Sequence, residues 1–157
     1  MENLSNELNE AVNLFFDKYK DLNDEITSDR PADDTWTPKE IIGHLIDSAS
    51  NNHQRFVRLQ IVHELVFPGY AEDNTRWLKV QHYNEMNFSD LLFLWKQYNV
   101  LLGHIIEKAD VSRLDSCWIK PDGDSITLKD LMMEYVSHLK GHFQHFEETL
   151  REMSERT

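Results

Sequence analysis

Three of the chain's eight histidines crowd into the stretch YVSHLKGHFQHFEE, residues 135–148. His138 and His142 stand four positions apart. On a helix that is about 6 Å along the axis, close enough for both imidazoles to reach one ion. Metalloprotease helices hold zinc with this spacing. On a helical wheel of about 100° per residue, the pair shares its side with Leu128, Leu131, Tyr135, Leu139 and Phe146. His145 falls at the margin of that stripe. Two readings are open for imidazoles on an apolar face: core histidines satisfied by their neighbours, or ligands awaiting a third donor.

His44 is the third donor on offer. It sits among Ile41, Ile42 and Leu45 near the start of another helix, a poor setting for a purely solvated residue. A polar stripe, His44, Asp47, Asn51 and Arg55, runs beside that helix's apolar stripe of Leu45, Ala49 and Phe56. Such a stripe is also what a solvated helix edge looks like. If His44, His138 and His142 share a divalent ion, at least one coordination position stays open, as in catalytic rather than structural sites. Several other chemistries are excluded. The pair reads HLKGH, with Leu139 where a zinc protease carries its Glu base, and no Glu-x-x-His occurs for a di-iron bundle. There is no C-x-x-C, no glycine-rich phosphate loop and no G-x-S-x-G. The single Cys117, beside Trp118, reads as a packed thiol.

The elements that must position these residues are long helices, since only five glycines and four prolines punctuate the chain. Leu8, Val12, Phe15, Tyr19, Leu22 and Ile26 alternate at spacings of four and three, which predicts a first helix over residues 4–27, ended by Pro31. Thr37-Pro38-Lys39-Glu40 opens the second with an N-cap, a proline at the first helical position and a capping-box glutamate. This helix must stop before Pro68. A third is predicted over 87–109, with Leu91, Leu94, Trp95, Tyr98, Leu101, Leu102 and Ile105 inward. The fourth opens at Thr127, with Asp130 three residues on, and passes Leu150. The connection of some twenty residues between the second and third helices is expected to hold a short helix or structured loop. PDGD marks a turn between the third and fourth. The expected fold is all-α: one domain over 1–157, a four-helix bundle with long crossover connections.

Bulk properties narrow the function. A net charge of −12 argues against nucleic acid, and no apolar run is long enough to span a bilayer. MENLSNELNE lacks the basic start and apolar stretch of a signal peptide, and one cysteine suits a reducing compartment, so the expected location is cytoplasmic.

The pairing of WTPKEIIGHLIDSASNNHQRF (36–56) with YVSHLKGH (135–142) resembles the DinB/YfiT-like putative metalloenzymes across essentially the whole chain. The resemblance implies a four-helix bundle with a three-histidine site of His44, His138 and His142, and an acidic neighbour at Asp47. It also implies a divalent ion (zinc, nickel or manganese) and a metal-dependent reaction on a small molecule. The leading expectation is S-transfer from a low-molecular-weight thiol of bacillithiol type to a small electrophile. The alternatives are a metal-dependent hydrolase, and a non-catalytic metal- or ligand-binding bundle that pairs as a homodimer. Asp47 is expected to orient an imidazole or accept a proton. Arg55 is expected to hold a carboxylate or to form a surface salt bridge, and Asn51 and Trp77 to contact substrate. Tyr70, Asn74, Tyr83 and Trp118 are the other loop residues expected around a pocket.

Overall fold

The computed structural model describes residues 1–69 and 74–156. Six helices carry most of the chain: α1 (Glu2–Tyr19), α2 (Asp24–Ser28), α3 (Pro38–Leu59), α4 (Asn74–Gln81), α5 (Phe88–Glu107) and α6 (Leu128–Glu155). α1, α3, α5 and α6 form the bundle. α5 packs on both α1 and α3, and α6 closes the ring on their other side. In chain order the polypeptide therefore crosses the bundle diagonal twice, from α1 to α3 and from α5 to α6. The long α3–α5 connection, expected as a crossover, instead joins neighbouring helices.

Helix ends follow their caps. Thr37 accepts from Glu40 N at 3.1 Å while Glu40 returns to Thr37 N at 2.8 Å, the reciprocal box read in the sequence. Thr127 accepts from Asp130 N to begin α6, and Asn87 caps α5. The first helix is shorter than its periodicity predicts. α1 ends at Tyr19, and Asn23 caps a separate α2 by accepting from Glu25 N. Ile26, the expected last rung of the stripe, is exposed, and Thr27 is buried in its place. On α5 the buried line runs through Leu91, Leu92, Trp95, Asn99, Leu102 and Ile106, so Leu94 and Leu101 face outward.

A three-stranded sheet, which the sequence did not suggest, ties the two long connections together. β1 (Glu64–Val66) runs parallel to β2 (Cys117–Ile119), which pairs antiparallel with β3 (Ser125–Thr127). The expected PDGD turn is the β2–β3 hairpin. Gly123 adopts φ 92° there, a left-handed conformation that suits glycine.

Below the N-terminus of α3, Lys39 is buried with its Nζ 3.0 Å from Asp24 Oδ2, and Asp24 Oδ1 accepts from Phe88 N at 2.6 Å. One carboxylate thus joins α2, α3 and α5. The Phe88 amide and then the Lys39 ammonium lower its pKa. A depressed carboxylate stabilises the fold above its unfolded pKa of about 3.9, and the contribution fades as pH falls through the folded value. Asp24→Asn is therefore expected to unfold at lower denaturant than wild type at neutral pH, with the two converging below about pH 4. Urea titrations across that range check it; a pH-independent gap contradicts the assignment.

Candidate metal centre

α3 and α6 pack side by side and bring His44 against His138 and His142. His142 Nε2 lies 3.1 Å from His44 Nε2 and 3.1 Å from His138 Nε2. One nitrogen from each of the three rings falls within 4.8 Å of the others. Three imidazole nitrogens aimed at one point cannot all be satisfied by one another's protons, because each neutral ring donates from one nitrogen only. A tetrahedral ion with bonds of about 2.0–2.1 Å separates such nitrogens by about 3.3 Å, so the donor set fits one. Burial, then the neighbouring histidines, pushes the pKa of His44 down to about 3 and that of His142 to about 4. These rings are thus held in the neutral form that a metal requires. His138 keeps an exposed edge, yet the surrounding walls desolvate it enough to lower its pKa as well.

A cavity of about 310 Å³ opens onto His44 and His138. Its α3 wall is His44, Ser48, Asn52 and Arg55, and its α6 wall is Leu131, Glu134, Tyr135 and His138. Trp118 and Lys120, two apart on the β2 side, close it. Arg55 is buried, its guanidinium 3.9 Å above the Trp118 ring, with Nη2 donating to Pro68 O at 3.2 Å and Nη1 to Asn52 Oδ1 at 3.4 Å. Trp118 Nε1 donates to Phe67 O at 2.9 Å, so the sheet sets the height of this wall. A buried cation–aromatic stack helps to hold Arg55 in this wall.

The other expected residues divide around this cavity. Asn74 and Trp118 line it. Asn51 does not: its amide turns back to Asp47 O at 2.9 Å, and Asn52 takes the cavity position. Trp77, on α4, is part-exposed and lies outside the lining. Tyr70 lies outside the described residues.

Asp47 is buried but turned toward α4. Its Oδ1 accepts from Gln81 Nε2 and Tyr83 Oη, both at 2.7 Å, while Oδ2 has no hydrogen-bond partner among the described residues. The Tyr83 ring fits against Gly43, where any Cβ would overlap it. Burial raises the Asp47 pKa against the opposing pull of these two donors. The geometry therefore gives Asp47 a structural tie to α4 and no position on the cavity. An acid whose pKa is raised by folding carries a penalty that grows as pH rises above its unfolded value. Asp47→Asn keeps an acceptor for both donors and removes that charge. It is expected to melt a few degrees higher than wild type at neutral pH, the gain vanishing near pH 3. A lower melting temperature at pH 7 would contradict this reading.

Sequence reasoning missed Trp36, whose ring lies against the cluster, and it missed Ser48, Asn52 and Lys120. Ser48 and Asn52 were within reach, because they continue from His44 at four-residue steps.

No family model and no curated protein matches the chain. Among solved structures it is similar to YfiT from Bacillus subtilis, described as a probable metal-dependent hydrolase with an unusual four-helix bundle topology. The two share 21% identity and superpose with a TM-score of 0.83 over 98% of this chain and 85% of that one. The chain has the DinB/YfiT-like four-helix-bundle fold that its sequence resembles.

Proposed function

We propose that this chain is a divalent-metal-dependent enzyme acting on a small molecule, with His44, His138 and His142 as the ligands. The observation that carries the reading is the convergence of three neutral imidazoles at the end of an open cavity. A set of nitrogen donors without a carboxylate favours zinc or nickel over manganese. When bound, such an ion would act as a Lewis acid, making water or a thiol nucleophilic near neutral pH. The chain's own residues do the rest. Ser48, Asn52 and Tyr135 offer hydrogen bonds along the cavity, Leu131 and Trp118 exclude water, and Arg55 and Lys120 supply positive charge at the wall.

Cavity size ranks the two reactions. A volume of about 310 Å³ is at the small end of the roughly 300–1,000 Å³ usual for ligand sites. That suits one small substrate beside the histidines better than a thiol and an electrophile together. Hydrolysis is therefore the first reading, in line with the description of YfiT. Transfer of a low-molecular-weight thiol, first in the sequence reading, is second; Lys120 favours it, as a cation on the cavity wall that would hold a carboxylate of such a thiol. The deciding experiment loads the protein with zinc, nickel or manganese and follows small esters, amides and electrophiles with and without bacillithiol-type thiols. Thiol-independent turnover supports hydrolysis, and thiol-dependent consumption supports transfer. Stoichiometric metal with no turnover supports a module that only holds metal.

A further inference from the structure

His142 presents a puzzle within the cluster. A ligand imidazole is ordinarily fixed by a hydrogen bond from its second ring nitrogen to a carboxylate, carbonyl or water. His142 Nδ1 is buried and has no hydrogen-bond partner among the described residues. Something else must hold the ring so that Nε2 points at the shared centre.

The candidate is Trp36, the residue just before the Thr37 cap of α3, where a staple residue packs back onto its helix. Its ring lies 6.5 Å from the His142 ring with the planes only 12° apart, 5.1 Å from His44 and 6.2 Å from His145. One half-buried indole thus bears on histidines of both α3 and α6. The cavity meets the cluster elsewhere: it touches His44 and His138, but neither His142 nor Trp36. The cluster thus has an aromatic side and a cavity side.

We propose that Trp36 is a positioning residue of the metal site, orienting His142 by ring packing in place of the missing hydrogen bond, and confining the exchangeable coordination position to the His138 side. This inference rests on the metal-site reading above. Packing constrains a ring by excluding its other rotamers, so the side chain's flat area matters and its polarity does not. Phenylalanine should serve, and leucine or methionine should not.

The test measures Zn²⁺ affinity against a chromophoric chelator and the visible absorption of the Co²⁺ form, for wild type, Trp36→Phe, Trp36→Leu and the flexible Trp36→Met. Trp36→Phe is expected to stay within about threefold of wild type. Trp36→Leu and Trp36→Met are expected to bind zinc about 10–100-fold more weakly, the loss typical when a ligand's orienting partner is removed. Their Co²⁺ spectra should change in shape as well as intensity. A purely structural role would lower the melting temperature and leave the spectrum per bound cobalt unchanged. The inference is overturned if wild type loads with metal and either aliphatic variant, folded, matches it in affinity and spectrum. If wild type binds neither zinc nor cobalt, the metal-site reading fails and takes this inference with it.

Discussion

Untagged wild type is expected to carry near-stoichiometric divalent metal, and His44→Ala and His138→Ala are each expected to emerge from purification without it, as measured by elemental mass spectrometry. A three-imidazole site has no spare donor. Among the described residues, the His44–His138–His142 group is the set of potential ligand atoms close enough to share an ion. His145 stands outside it, its ring 5.9 Å from that of His142, so His145→Ala should keep its metal. Thermal melting supplies an independent reading. A ligand at a hundredfold excess over its Kd stabilises by about 2.7 kcal/mol. For a chain of this size that corresponds to a rise of about 5–10 °C on adding zinc to wild type. Neither ligand variant should show the rise. Metal retained in both variants would return the three residues to core histidines.

Phe15→Ala is expected to cost about 3–5 kcal/mol. Phe15 is the hub of the aromatic interior. Its ring is stacked on Phe143 at 4.1 Å, meets Phe146 at 5.1 Å and Trp95 at 5.4 Å edge to face, and Tyr19 at 4.8 Å. Truncation removes contacts to α5 and α6 at once, and the rigid rings around it cannot collapse into the space. Leu14→Ala, one position away but exposed, should change stability by less than about 0.5 kcal/mol. Denaturant titration of the two variants side by side checks this. Similar losses would mean that α1 is held by something other than this aromatic cluster.

The helices that carry the site were legible because their signals are local. The Thr37–Glu40 box and the Thr127–Asp130 cap specify where α3 and α6 begin, and four-residue spacing puts His138 and His142 on one face. The break after Tyr19 was not legible from periodicity. The apolar rhythm runs on through Leu22 and Ile26, while the deciding event is Asn23 capping α2, which Asp24 then ties to Lys39 and Phe88. The strands were invisible, since three residues in β1 gain their conformation from a partner far along the chain. Asp47 shows the limit of a helical wheel. It lies about 60° from His44, while Ser48, Asn52 and Arg55 lie on the other side, within about 80°. That step separates a residue tied to Tyr83 from those on the cavity, and only the docking of α4 reveals which arc faces which neighbour.

The parallel pairing of β1 with β2 also bears on the order of assembly. Helices form from contacts within a turn, whereas this pairing must close a long stretch of chain before two three-residue strands return any stabilisation. The bundle is therefore expected to fold ahead of the corner that carries Trp118. In the native state that corner is expected to open first, with amide exchange at Cys117 and Lys120 outpacing that of the buried turns of α3 around Leu45. On the proposed function, a small molecule reaching the histidines would then pass a less persistent corner of the fold, while the three imidazoles stand on more persistent helices.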